Sequence, residues 1–438
     1  MSKLNLNKII EYLLYLFVFL FPLQTCYITR ELFINNAKWE YGTICFYLSD
    51  LILILLFGLF ILTKIRIFKY RIPKVPNITK ISILLIAWSL LSIIWSLDKQ
   101  LALYSVIKIT SAVALFFVVL NIKFNWKKLL LVFILSATLQ SGFGLWQFFN
   151  QDIPANKYLG ISAHNPLELG VSVIQTEERR WLRSYGGQAH PNILGGYLVI
   201  ALFFAINLYL KVNKKEEQNK KDLYTRLFLL VSLIILFSGL LTTFSRSAWL
   251  VFGMGFIFFI IFNFRKNIQA LSKILFLFLI ITSFFIFNFK EIFLPRFTIN
   301  NRLEIQSIEE RIDYTTQAKN LIKDNQIKGF GVGNYTIANY NKLKKDMPAW
   351  YFQPVHNTYL LILTELGIIG LILFLSFIIM LLRKRNLKNN IFFIATCSLL
   401  IIMFFDHWLW SSHFGLLLLF LILGLFIKIS QKINTVVK

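Results

Sequence analysis

QPVHNTYLLILTELGIIGLILFLSFIIMLL, residues 353–382, is where the chain turns from polar to apolar and stays apolar. Between Thr358 and Leu382 only Glu365 is a charged residue type. A helix of that length crosses roughly 30 Å of hydrocarbon, so the stretch reads as a transmembrane span. His356 stands just ahead of its first turn, at a water–lipid boundary and at the positive end of the helix dipole. That dipole disfavours the protonated ring and keeps it available as a base. Gly367 follows Asn357 by ten residues and Gly370 comes three later, notching the helix beneath the histidine. The pattern points to chemistry on something held at a membrane surface.

Working outward, similar apolar blocks lie at 9–25, 44–63, 80–97, 101–121, 128–149, 191–210, 227–244, 247–264, 272–289, 391–408 and 411–429, which with 357–382 predict twelve spans. Composition agrees: 57% of residues are hydrophobic, 15% are charged and the mean hydropathy is +0.65. Soluble domains run at roughly a quarter charged. The expected fold is an all-α integral membrane protein of about 12 transmembrane helices. Residues 1–289 hold helices 1–9, 290–356 form a large external loop between helices 9 and 10, and 357–438 hold helices 10–12. The first span follows Lys3 and Lys8 like a signal peptide, but it lacks a small-residue cleavage site and reads as retained.

Lys and Arg set the orientation. With the N-terminus in the cytoplasm, short inner segments carry 27 of the 46 basic residues. The short outer turns 97–101 and 408–411 carry only Lys99. Both termini are therefore expected in the cytoplasm. The net charge of +25 is mainly this topology signal plus attraction to anionic lipid. No basic soluble domain exists to bind nucleic acid. Three cysteines are too few for a disulfide scaffold. Cys26 and Cys45 both fall at the outer end of the first helical hairpin, as a bridge or as two ordinary thiols.

Two outer segments are long. The first, about 150–190, is polar and turn-rich. The second, 290–356, places Leu303, Ile305, Ile308, Ile312, Leu321 and Ile322 among charges, an amphipathic pattern for a helix on the membrane or capping the bundle. Gly329–Gly333 follows; no strand precedes it, so it reads as a tight backbone turn rather than a dinucleotide fingerprint. The inner loop Lys211–Arg226 is a solvated connector, and no internal repeat is evident.

Basic residues near outer span ends run against the orientation rule. Arg246, in Thr243–Trp249, joins two apolar runs with almost no loop, so it either faces the bundle interior or snorkels to headgroups. Arg183 leads through His190, Pro191, Asn192, Gly195 and Gly196 into the sixth span, as a ligand-approaching segment or as a plain polar loop. Arg311, on the amphipathic helix, either pairs with Glu310 or Asp313 or offers its planar fork to phosphate. All five histidines (His164, His190, His356, His407, His413) fall outside, and none shows metal spacing. Asp406 and His407 read as a pair or a cap.

Taken together, these residues resemble a known family. His356-Asn357, nine residues, Gly367, two residues and Gly370 are similar to the signature of the O-antigen ligase superfamily. It includes O-antigen ligases, O-antigen and capsule polymerases, and some protein O-oligosaccharyltransferases. Four further stretches match in order: Arg183 to Gly196 with His190 and Asn192, Thr243 to Trp249, Arg311 leading to Gly331 and Gly333, and Asp406-His-Trp-Leu-Trp. The resemblance spans most of residues 80–429.

The resemblance implies a bundle like that of GT-C glycosyltransferases, in the cytoplasmic (inner) membrane with an external active site. It implies transfer of a glycan from undecaprenyl pyrophosphate to a hydroxyl of a glycan, lipid or protein, without metal or other cofactor. His356 becomes the catalytic base, and Arg246 and Arg311, with Arg183 less directly, bind pyrophosphate. Asn357, Gly367, Gly370, His190, Asn192, Gly331, Gly333 and Asp406 are motif positions. A base suits a poor hydroxyl nucleophile, and fixed arginines suit the developing charge of the leaving group. Joining lipid-linked repeat units, as a polymerase does, is the close alternative. A lipid-linked glycan flippase should show repeat symmetry and more buried charges than Asp50, Lys108 and Glu365. A structural scaffold leaves Arg246 unexplained.

Overall fold

The computed structural model describes residues 3–65, 76–213, 219–296, 302–343, 346–383 and 390–436. Its helices are α1 (Lys3–Leu20), α2 (Leu48–Ile65), α3 (Pro76–Ser92), α4 (Lys99–Asn121), α5 (Trp126–Asn150), α6 (Pro191–Asn213), α7 (Lys220–Thr242), α8 (Arg246–Asn288), α9 (Lys290–Phe293), α10 (Arg302–Asp324), α11 (Tyr335–Leu343), α12 (Thr358–Arg383), α13 (Asn390–Ile402), α14 (Trp408–Ser411) and α15 (His413–Val436). Side chains that compete with the backbone elsewhere start several of them. Asp98 accepts from Leu101 N–H, Asn125 from Lys127 and Lys128, and Asn219 from Asp222.

Among the described residues, nine helices are long and apolar enough to cross a membrane, counting α8 as two halves divided at non-helical Asn267. The span expected at 9–25 is shifted to α1, Lys3–Leu20, while those expected at 44–63 and 391–408 come out shorter: α2 begins at Leu48 and α13 ends at Ile402. At ~1.5 Å per residue, α13 covers ~20 Å, short of the hydrocarbon thickness. Its expected last turn is instead the bend at Met403–Phe405, which leaves Asp406 and His407 off the helix. α6 is buried along its whole apolar stretch and α15 almost so, which makes them the axis of the bundle. Of the inner connector 211–226, residues 214–218 lie outside the described residues.

The chain is mostly helical but not all-α. Strands β1 (Cys26–Ile34) and β2 (Ala37–Tyr47) form an antiparallel hairpin between α1 and α2, and β3 (Val173–Gln175) pairs with β4 (Arg180–Leu182) in the loop after α5. The first hairpin turns on Asn35 and Asn36, both at positive φ (49° and 64°), as a two-residue I′ turn requires. Arg30 grips Asp98 with both guanidinium nitrogens (3.0 and 2.6 Å), Asn35 donates to Met347 O, and Trp39 donates to Phe352 O while packing on Ala349, Tyr351 and Phe352. The hairpin is thereby pinned to the segment just before His356. Cys26 and Cys45 are free thiols that contact each other across it, and the Cys45 contact draws the Cys26 thiol down to about 7.

Contacts gather the hairpin, the loop 151–190, the α7–α8 turn, α10, the stretch before α12 and the α13–α15 link at one end of the bundle. The glycine segment there does more than turn. α12 is broken at Gly367 (φ 66°, ψ −172°), which frees the carbonyls of the turn before it. Phe330 N–H and Gly331 N–H donate to Thr364 O and Glu365 O, Trp88 Nε1 donates to Leu366 O, and Ile368 N–H donates to Gln326 O. A Cβ on Gly329 would stand 2.4 Å from Glu365 O, so the two backbones meet because glycine is there. Irregular backbone at membrane depth is tolerated when protein satisfies it, as here.

Candidate active site

His356 is held from two sides. Asn357 accepts from Leu360 N–H and so caps α12. Thr358 N–H donates to Met403 O, and its hydroxyl donates to Asp406 O (2.7 Å). These bonds dock the start of α12 on the bend after α13 and set the imidazole beside a carboxylate. His356 Nδ1 lies 3.7 Å from Asp406 Oδ1, and it is buried with no hydrogen-bond partner. That separation is just beyond a hydrogen bond, and unliganded catalytic pairs are commonly long. Tyr314 of α10 and His407 pack on the ring, with centroids 6.0 and 5.2 Å away.

Asp406 is fixed in turn. Asn192 Nδ2 donates to its Oδ2 (2.9 Å), and His407 N–H donates to its Oδ1 (2.8 Å). Burial acts to raise its carboxyl, but the contact with His356 more than offsets this and holds it well below the usual range. Burial pushes His190 down to about 3 and His407 to about 4, so both neighbours are neutral. His190 Nδ1 accepts from Asn192 N–H (3.1 Å).

Arg183 sits behind this layer. It is buried, and it donates to Thr243 O (2.7 Å), Ser172 Oγ (2.6 Å) and Asn192 Oδ1 (2.8 Å). Its guanidinium is engaged by protein and does not line either cleft described below. A continuous line runs Arg183–Asn192–Asp406–His356, with the Asn192 amide set between a buried cation and a buried anion. Arg183 was expected to bind phosphate; its contacts make it a brace for the histidine site and for the turn that carries Arg246.

Arg246 and Arg311 do meet. With Lys319 and Thr315 they line an open cleft of about 510 Å³. Arg246 is the first residue of α8, reached through Phe244 at φ 48°, and its Nη1 lies 2.9 Å from Glu304 Oε2. Glu304, buried, also holds Arg296 at 2.6 Å. Arg311 makes no ion pair among the described residues. The expected alternative partner Asp313 instead accepts from Gln317 and from Tyr351. Arg311 and Tyr314 lie one turn apart on α10, so the helix that offers a free guanidinium to the cleft also packs on His356.

The expectation of no metal site rested on sequence spacing. The fold brings ligand atoms of His356, Asp406 and His407 within 4.8 Å of one another, a set able to hold a cation. Both Asp406 oxygens are already hydrogen-bonded, and His407 Nδ1 is paired with Ser411 Oγ (2.8 Å). Gly331 docks on the α12 break; Gly333 lines the cavity that His356 faces. Sequence reading missed Arg296 and Glu304, whose pairing no motif marks. It also missed Glu40 and Tyr41, although alternating β-branched and aromatic residues around Asn35-Asn36 signal the hairpin that carries them.

These features define a multi-pass membrane protein with an imidazole–carboxylate pair and an arginine cleft at one end of its bundle. Residues 231–375 match the family model described as O-antigen ligase, a match over part of the chain that supports its assignment to the O-antigen ligase and polymerase superfamily. The matched stretch contains Arg246, Arg311 and the His356–Gly370 motif; Arg183, His190, Asn192 and Asp406 lie outside it. No curated protein matches the chain.

Proposed function

We propose that this protein transfers a glycan from undecaprenyl pyrophosphate to an acceptor hydroxyl at the outer face of the cytoplasmic membrane. His356 takes the hydroxyl proton, and Asp406 orients the ring and balances the imidazolium that forms. The attacking oxygen forms a bond to the anomeric carbon as the bond to the pyrophosphate oxygen breaks, and the leaving group departs as polyprenyl pyrophosphate. Arg246 and Arg311 take up its negative charge. The observation that carries this reading is Arg311, with no ion pair among the described residues, on the same helix as the Tyr314 that packs on His356. Guanidinium forks fixed in a cleft stabilise such charge without a metal.

The test is product formation per folded enzyme on a defined lipid-linked donor. His356→Gln keeps a donor and an acceptor but takes no proton. Loss of a general base is typically worth ~10²–10⁴-fold in rate. A glutamine variant with most of the wild-type turnover reduces His356 to a structural residue. Joining two lipid-linked glycans, the polymerase reading, is the same chemistry with a different acceptor.

A further inference from the structure

His356 lines a space distinct from the arginine cleft, a partly open cavity of about 470 Å³. This size falls in the range of small-ligand sites, ~300–1,000 Å³. Its chemistry differs from that of the arginine cleft. No arginine lines it. Of its two lysines, Lys38 is paired with Glu31 and Lys108 donates to Ser411 O. It is therefore unsuited to a pyrophosphate. Its walls are aromatic rings and carboxylates, the pairing that suits a sugar: rings pack on C–H faces, and carboxylate oxygens accept from hydroxyl pairs.

Three carboxylates line the cavity, and two are engaged. Asp406 holds Asn192 and His407 N–H, and Glu365 accepts from Trp410 Nε1 (3.0 Å). Glu40 has no ion pair or side-chain hydrogen bond among the described residues, and its side chain is exposed on the cavity wall. It is delivered by β2. Trp39 on one side is anchored in the 349–352 cluster, and Tyr41 on the other packs edge-on to His407 at 5.8 Å. The strand is thus pinned on both flanks of the free carboxylate.

We infer that this cavity receives the sugar bearing the accepting hydroxyl, and that Glu40 positions it by accepting hydrogen bonds from its hydroxyls while His356 removes the proton. This rests on the glycan-transfer reading and narrows it: the acceptor end is a glycan, not a protein side chain. Donor phosphates and acceptor sugar then approach His356 from separate spaces.

The experiment uses the full-length protein in detergent, with the water-soluble glycan released by mild acid from the host's own polyprenyl-linked pool as the acceptor probe. Glu40→Gln preserves size and removes the charge. Three readouts are taken: calorimetric binding of the released glycan, KM for that glycan in transfer, and slow hydrolysis of the lipid-linked donor by water. The expected result is a glycan Kd and KM weakened about tenfold to a hundredfold with donor hydrolysis unchanged. Unchanged glycan binding overturns the inference. Equal loss in all three readouts also overturns it, because Glu40 would then serve the donor chemistry or the fold. Wild-type protein that ignores the glycan but modifies a serine- and threonine-containing peptide assigns the cavity to a protein acceptor and overturns it too. The parent reading fails separately, if wild-type protein releases no polyprenyl pyrophosphate by transfer or hydrolysis, while glycan binding still reports on Glu40.

Discussion

Arg311 and Arg246 look alike in the sequence and differ in the fold. Arg246 is tied to Glu304, so removing it leaves a buried carboxylate with one partner fewer. Arg311 has no ion pair among the described residues, so its loss should read out on substrate alone. Arg311→Ala is expected to raise donor KM by more than ~10-fold, the worth of one charge-assisted hydrogen bond, while thermal stability shifts within ~0.5 kcal/mol. An unchanged donor KM removes Arg311 from the anion site. The imidazoles carry a second expectation. His190 and His407 titrate in the fold near 3 and 4, below their ordinary 6.5. Between those values the unfolded chain binds protons that the folded chain refuses, so stability present above 6.5 is lost as pH falls towards 4. Asp406, also held low, adds a loss only below its ordinary 3.8. Melting temperature in detergent should therefore fall with acidification from pH ~6.5, and His407→Gln should flatten that slope. A wild-type melting temperature that stays flat over this window contradicts the burial of these neutral rings.

At the scale of elements, the sequence shows where helices lie and hides why two of them stop. The His356–Gly370 motif was legible as a notched helix, but Gly367 is a full break, and its partner is the glycine segment about forty residues earlier. No local pattern links Gly329 to Gly367, because the link is one of backbone to backbone. At φ 66° and ψ −172°, Gly367 occupies a region essentially reserved for glycine, where a side chain costs ~1–3 kcal/mol. A Cβ there would also stand 2.0 Å from Ile327 O. Gly367→Ala should displace the 326–331 segment and with it α10, lowering both the melting temperature and donor affinity although the residue touches neither cleft. Wild-type donor KM in a folded Gly367→Ala protein shows that the break does not position the arginines. The β1–β2 hairpin was lost to the reading for a different reason. The apolar run after it drew the end of β2 into the expected span 44–63, although alternation and the Asn-Asn turn mark it as strand.

For the whole molecule, charge asymmetry predicts a direction that the fold alone does not carry. The bundle has two unlike ends. One gathers the hairpin, both clefts and His356; the other gathers Lys211 against Trp126 and Lys428 against the end of α4. On the proposed chemistry a polyprenyl-linked donor would meet the first end with its tail in lipid and its headgroup at the surface, so the side that end faces would decide where transfer happens. Short Lys- and Arg-rich connectors are expected to stay in the cytoplasm, which predicts that the site end lies outside. Glu178, in the loop beside β4, and Lys221, at the start of α7, are exposed at opposite ends. In a background with Cys26, Cys45 and Cys397 replaced by serine, Glu178→Cys should react with a membrane-impermeant maleimide in intact cells, and Lys221→Cys only after permeabilisation. The reverse pattern would turn the site to the cytoplasm and exclude transfer at the outer face. It would leave the His356–Asp406 geometry intact, so activity of purified protein would then separate a wrong orientation from a wrong chemistry.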